Sequence, residues 1–267
     1  MQQTSDTYKR ILSGDDYWFE NSVTIGDGGR LVDDDGGLIL FGRDSILVDT
    51  GGPEGGFRED KLISVESNHE FFADGAPSVG SAVASYVDVQ MEAPYNVPKR
   101  ARVSLYCRAV NETEVSEWVP QGVYFIDTRE QTHTGLGYDV LTFTAYDAML
   151  LAEVTYPSDS EHNYPMLDED MVHFIADNMR IDPNGRGIQV DPRTWDIMTA
   201  RYKFPLPVGY SMREVLCMIA AAYAGNFIIS PTGELRLVSM FDLPLETRHL
   251  STEDGYKITF GGDYILV

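Results

Sequence analysis

Val83-Ala84-Ser85-Tyr86-Val87-Asp88-Val89-Gln90-Met91-Glu92 alternates without a slip. Val83, Ser85, Val87, Val89 and Met91 fall on one side, and Ala84, Tyr86, Asp88, Gln90 and Glu92 on the other. Side chains of an extended chain point to opposite faces in turn, so this period of two marks a strand with one face in a core and one in water. Val103, Leu105, Cys107 and Ala109 repeat the pattern against Arg102, Ser104, Tyr106 and Arg108. Gly122 to Thr132 and Tyr138 to Tyr146 read as a hairpin across Thr134-Gly135-Leu136-Gly137, and Trp18 to Ile25 as an earlier strand. Leu38 to Phe41 and Ser45 to Val48 make a further pair around Gly42-Arg43-Asp44. Short strands at this spacing predict an antiparallel barrel or sandwich rather than a parallel sheet.

The vocabulary changes after Tyr146. Asp147 to Glu153 is a short helical stretch, and Pro157 to Pro165 a polar connector. Asp168 caps an expected helix with apolar face Met171, Phe174, Ile175 and Met179, ended by Asp182-Pro183-Asn184-Gly185. Pro205 and Pro207 mark another break. Beyond it, Ser211 and Glu214 have the spacing of a capping box, and Val215, Leu216, Ile219, Ala220 and Tyr223 follow at helical spacing. Gly225 suits the left-handed residue that ends such a helix. Phe227-Ile228-Ile229, the turn Pro231-Thr232-Gly233 and Leu235 to Val238 complete a strand, turn and strand. The expected fold is therefore mainly β (α+β), with tube-like antiparallel modules and a small helix-containing domain. The expected division is 1–154, a β-barrel or sandwich module, and 155–267, an α+β module that holds the helix–hairpin unit and starts a second β module.

One internal echo supports duplication. Ile39 to Val48 matches Ile258 to Val267 at seven of ten positions. Two strand–turn–strand pieces sharing a common vocabulary explain it equally well. An apolar end on Ile265-Leu266-Val267 is expected either to offer a strand edge to a partner or to belong to a longer protein.

The 267 residues carry 20 basic and 42 acidic side chains, a formal net charge of −22. That field repels phosphate backbones and anionic lipid, which disfavours sequence-specific binding of nucleic acid. It suits solubility, and equally a wall past which DNA slides without sticking. No stretch approaches the roughly 18 apolar residues of a membrane span. The polar start, Met1 to Arg10, lacks the apolar core of a signal peptide, so folding in a cytoplasm is expected. Cys107 and Cys217 sit among apolar neighbours and read as free thiols. His69, His133, His162, His173 and His249 are scattered, without metal-ligand spacing.

Chemistry-bearing motifs are few. Ile46-Leu47-Val48-Asp49-Thr50-Gly51 has the wording of an aspartic-protease loop, whose chemistry needs two such aspartates sharing a proton. A second copy is absent, and a turn after a buried strand is the plainer explanation, although a homodimer would supply two. Asp33-Asp34-Asp35-Gly36 lacks the alternate spacing of a calcium loop and reads as a solvated turn. Gly26-Asp27-Gly28-Gly29 is a weak phosphate signal, because no helix follows it. Tyr17-Trp18-Phe19 is either a carbohydrate platform or a piece of core. No catalytic, cofactor-binding or metal-binding residue is assigned, and no cofactor is expected.

Three stretches resemble the hub proteins at the tip of bacteriophage and prophage tails. They are Gly122 to Asp127 with its return strand into Thr142-Phe143-Thr144-Ala145-Tyr146-Asp147-Ala148-Met149-Leu150, the 211–238 unit, and Trp18-Phe19-Glu20 with Thr24-Ile25-Gly26. Together they cover about a third of the chain. The resemblance implies a non-enzymatic virion protein, assembled in the host cytoplasm into a homo-oligomeric ring, with a trimer favoured. It implies tail-tube (distal tail) and tip proteins as partners, and a bore that passes DNA. Acids should then concentrate on the lining, with Asp33-Asp34-Asp35, Asp88 and Glu92 as candidates. The chain is shorter than such hubs commonly are. Two other classes stay open: an aspartic protease using Asp49, and a monomeric carbohydrate- or protein-binding β module.

Overall fold

The computed structural model describes residues 4–26, 53–72, 77–93, 97, 100–133, 138–157, 163–180 and 186–240, with the pairs 259–260 and 263–264. The expected strands at 38–41 and 45–48 lie outside these residues, as do the turn at 134–137 and the helix stop at 182–185.

The first element is a helix that no sequence pattern announced, α1 (Asp6–Leu12). Seven residues are too few to show a period. Ser5 caps it by accepting the Tyr8 N–H, and Ile11 is its buried residue. Arg10 holds Glu114, while Ser5 donates its N–H to Glu117. Long-range contacts of this kind anchor a helix too short to persist alone.

Strands β1 (Trp18–Ile25), β2 (Leu62–Asn68), β3 (Ser81–Ala82), β4 (Tyr86–Glu92), β5 (Arg102–Val110), β6 (Val119–His133) and β7 (Asp139–Asp147) follow. Six of them form one antiparallel sheet in the order β1-β5-β6-β7-β4-β2. Val23 and Phe57 exchange both backbone hydrogen bonds, at 2.9 and 2.8 Å. The chain about to enter one edge strand thus touches the other edge strand, and the sheet is nearly closed into a barrel. Register shifts between Leu105 and Tyr106 and between Ile126 and Thr128 mark bulges, which add the local bend that closure needs. Gly122 stands beside the first. A Cβ there would lie 2.3 Å from the Tyr124 hydroxyl, so the turn inward of that ring excludes any side chain.

Alternation sends Val87, Val89 and Met91 into the barrel with Val23, Val103, Tyr124 and Phe143, all essentially without solvent contact. Burying side chains of this size contributes roughly 1.5–3 kcal/mol each.

After β7 the chain turns through a 3₁₀ segment, Ala148–Glu153, capped by Asp147. There follow β8 (Met166–Leu167), α2 (Asp168–Asn178), α3 (Arg193–Ile197), β9 (Lys203–Phe204), α4 (Met212–Ala222), β10 (Gly225–Ile229) and β11 (Leu235–Ser239). Two residue pairs near the end, β12 (Thr259–Phe260) and β13 (Asp263–Tyr264), form a small ladder of their own. A second core gathers Met171, Ile175 and Met179 of the α2 region, Val215, Leu216 and Ile219 of α4, and Phe227, Leu235 and Leu237 of the hairpin. Ala82, Phe125, Ala148 and Met149 pack into the same core. β3 also pairs in parallel with β10, so residues on both sides of position 155 build one layer.

Two local expectations change. The left-handed residue after α4 is Ala224, with φ of 49°, and not Gly225. Gly225 opens β10 instead, where a Cβ would lie 2.6 Å from the Val238 carbonyl oxygen. At α2 the N-cap position falls to Leu167, which makes no side-chain cap, and Asp168 is the first helical residue. The Asp168 carboxylate accepts the Glu169 N–H at 2.9 Å, but it also reaches across to accept from the Tyr202 N–H and the Tyr223 hydroxyl.

Candidate functional surfaces: an acidic sheet face and a cationic cleft

The strand register defines the outward face of β2, β4, β7 and β6. Its rows run Glu66–Asp88–Thr144–Thr128, Ser64–Gln90–Thr142–Glu130 and Glu92–Val140–Thr132. Asp88 accepts the Thr144 hydroxyl across this face. None of these paired positions is Lys or Arg. Lys61, at the entry to β2, forms an ion pair with Glu92 at 3.8 Å. Carboxylates and hydroxyls prevail in these rows, beside Gln90 and Val140, and give the face a net negative charge. Of the acids expected to line a bore, Asp88 and Glu92 therefore share one face with Glu66 and Glu130. Asp33-Asp34-Asp35 lies outside the described residues.

The fully buried carboxylates are occupied by structural tasks. Asp147 accepts the N–H of Ser85 at 2.7 Å and that of Met149 at 2.9 Å, which ties β4's approach to the 3₁₀ turn. Burial raises its pKa to about 7, against the two N–H donors and Arg213, which favour the charged form. Nearby, the Tyr124 hydroxyl meets His69 Nε2 at 3.2 Å. Burial pushes the tyrosine up and the histidine down. This cluster has the residue types of a catalytic site, but the space beside it is about 10 Å³, at the limit for one water and too small for a substrate. Asp191 is held below the usual carboxylate range, chiefly by Arg193, and Arg236 stands 3.8 Å away.

Where the barrel meets the helix–hairpin unit there is an open cleft of about 460 Å³. Val123, Phe125, Ala148, Leu151, Met179 and Ile188 line its apolar part. Arg102, Arg180 and Arg186 line its polar part together with Gln189, Thr232 and Glu234. Glu234 accepts the Thr232 hydroxyl at 2.9 Å. None of the three arginines has a carboxylate within 4.0 Å among the described residues, and the buried Arg102 Nε has no hydrogen-bond partner. Sequence reasoning missed this cleft, because Arg180 and Arg186 lie 78 and 84 positions from Arg102 in the chain and only folding brings them together.

Tyr17-Trp18-Phe19 is not core. These residues are 40%, 47% and 45% exposed, with Tyr17 packed edge-on against Phe19 at 5.6 Å between ring centroids. Trp118 carries the neighbouring cations, with Arg108 4.3 Å and Arg58 5.2 Å from its ring centroid. Asp49-Thr50-Gly51 and Asp27-Gly28-Gly29 lie outside the described residues. Cys107 and Cys217 are free thiols, both raised in pKa by burial. Among the described residues, no group of three His, Cys, Asp or Glu side chains is placed to hold a metal, and no helix is long and apolar enough to cross a membrane.

No protein-family model matches the chain, and no curated protein matches it significantly. Among solved structures it is similar to the 43 kDa tail protein of prophage MuSo2 from Shewanella oneidensis, with 10% identity and a TM-score of 0.38 over 67% of this chain and 52% of that one. A tail protein from Neisseria meningitidis MC58 aligns with 13% identity and a TM-score of 0.41, over 82% of this chain and 50% of that one. A chain of the lidded PdpA–VgrG complex of Francisella aligns with 8% identity and a TM-score of 0.44, over 85% of this chain and 29% of that one. The chain thus spans about half the length of the first two structures and under a third of the third.

Proposed function

We propose that this chain is a non-enzymatic structural subunit of a phage-type tail tip, a baseplate hub whose copies form a closed ring, with three favoured. The ring joins the tail tube to the tip proteins and lets DNA pass. The observation that carries this role is the outward face of β2, β4, β7 and β6, which holds Glu66, Asp88, Glu92 and Glu130, has no Lys or Arg at its ladder positions, and meets Lys61 at its edge with Glu92. Each cation on a channel wall that no acid neutralises would release counterions from passing DNA and hold it, so a wall for sliding must leave none unanswered. The stretches that resemble tail hubs fall on well-formed elements: the β6–β7 hairpin running into the Asp147-capped turn, the α4–β11 unit, and β1.

In this proposal residues 1–154 supply the tube-like module, and 155–267 the α+β module that leads toward a second one. The acidic sheet faces inward, and the protein belongs to a virion tail. Electron microscopy of the purified full chain tests the reading. Ring-shaped particles, with no retention of duplex DNA at low salt, are expected. A uniform monomer at all concentrations, or a particle that binds duplex DNA tightly, would sink it. The exposure of Tyr17, Trp18 and Phe19 favours a second reading, a monomeric module that stacks sugars on these rings. Monomeric behaviour together with glycan binding lost in Trp18→Ala would select it.

A further inference from the structure

Seven arginines of the described residues hold a carboxylate: Arg10, Arg58, Arg100, Arg108, Arg193, Arg213 and Arg236. In a chain of net charge −22, cations without an acid among the described residues are conspicuous, and three of them meet at one cleft. Arg102 lies on the sheet with its Nε buried and unpartnered, while Arg180 and Arg186 are exposed at the rim. Val123, Phe125 and Met179 supply an apolar part of the lining, beside the polar Gln189, Thr232 and Glu234. A site of this make-up fits a chain segment that brings carboxylates and large apolar side chains together. A small inorganic anion would leave the apolar part empty.

The same chain displays such a segment. Asp15-Asp16-Tyr17-Trp18-Phe19 is exposed at every position, and neither aspartate has a cation within 4.0 Å among the described residues. Trp18 pairs with Val110, the last residue of β5, whereas Arg102 is its first. Eight steps of ~3.3 Å place the two features ~26 Å apart at opposite ends of one strand. A subunit cannot fill its own cleft. Two different, complementary patches make a head-to-tail contact, which closes into a ring when the rotation between copies allows.

We propose that the junction cleft seats the Asp15–Phe19 segment of a neighbouring copy of this chain. Arg102, Arg180 and Arg186 receive its carboxylates, and the apolar lining receives its rings. Arginine and aromatic residues are the types that dominate the centres of protein interfaces. Two like-charged subunits repel at long range, and the cationic cleft supplies the local attraction that sets their register. The inference deepens the ring reading and rests on it.

Size-exclusion chromatography with light scattering on the full chain tests it, with near-UV circular dichroism confirming the fold of each variant. Arg180→Glu/Arg186→Glu changes only exposed rim residues, and Asp15→Lys/Asp16→Lys only the exposed segment. Each pair is expected to weaken assembly at least tenfold, and the chain carrying all four reversals is expected to regain it. Trp18→Ser should weaken assembly with no change of charge. If the wild type assembles and the charge reversals leave assembly untouched, the cleft proposal falls while the ring reading stands. It falls in the same way if inorganic phosphate raises the melting temperature of the wild type and not of Arg102→Gln while assembly ignores the arginines; the cleft is then a small-anion site. A wild type that stays monomeric at all concentrations overturns both.

Discussion

The side-chain oxygen of Asn226 accepts the backbone N–H of Ser81 at 3.0 Å, across 145 residues of chain. The same amide donates to the carbonyls of Phe71 at 3.1 Å and Ser78 at 2.9 Å. One buried side chain on β10 thereby satisfies three main-chain groups of the segment that leads into β4, and it fixes β3 beside β10. Only an amide offers both an acceptor and two donors in this small space.

Replacement of Asn226 by Ala should therefore destabilise the protein by at least about 1–3 kcal/mol, since buried main-chain groups lose their partners. Asn226→Asp should be worse near neutral pH, because a carboxylate would then face two carbonyl oxygens. Urea unfolding midpoints check both. An aspartate variant as stable as the wild type at neutral pH would show that the clamp is not formed.

The end of α4 distinguishes two neighbouring positions. Ala224 sits at φ 49°, where an L side chain is strained, whereas Gly225 needs its missing Cβ for the 2.6 Å approach of the Val238 carbonyl. Ala224→Gly should raise stability by about 1 kcal/mol through relief of that strain. Gly225→Ala should lower the melting temperature. The opposite pair of outcomes would return the left-handed position to Gly225.

The capping box is formed, with Ser211 accepting the Glu214 N–H and Glu214 accepting the Ser211 N–H at 2.7 Å. Ser211→Ala should cost about 1 kcal/mol. Leu216 is fully buried, and Leu216→Ala should cost roughly 2–5 kcal/mol. Thermal melts that leave either variant unchanged would contradict the packing of this helix.

Asp147 should make stability depend on pH. Its folded pKa, about 7, lies above the unfolded value of about 3.9, so the neutral form is the one the fold prefers. Its contribution is full below pH of about 4 and is lost as the pH rises through about 7, a change of up to about 4 kcal/mol. Tyr124 and His69 lie close by, and Arg213 partly offsets the effect by favouring the charge. Relative to wild type, Asp147→Asn should flatten the fall in stability between about pH 4 and pH 7. Equal pH slopes in the two proteins would show that Asp147 is ionised throughout.

Local patterns in the sequence carried much of this protein. The alternation that β4 realises over Tyr86–Glu92, the β6–β7 hairpin, the Asp147 turn and the helix–hairpin unit at 211–238 are all set by near neighbours, through side-chain period, capping and turn chemistry. A mainly β fold follows from them. Strand order does not, because pairing joins residues far apart whose side chains differ little from those of other strands. The Val23–Phe57 closure and the parallel partnership of β3 with β10 belong to that class. The same limit hid the cleft and the extent of the acidic face, of which Asp88 and Glu92 alone were legible. Glu66, Asp88 and Glu130 become one face only through register, and Arg102, Arg180 and Arg186 one cleft only through the docking of α2 and the 186–189 segment against the barrel. Charge sign and amphipathic period are properties of a segment and are legible along the chain, whereas the convergence of charges is decided by packing.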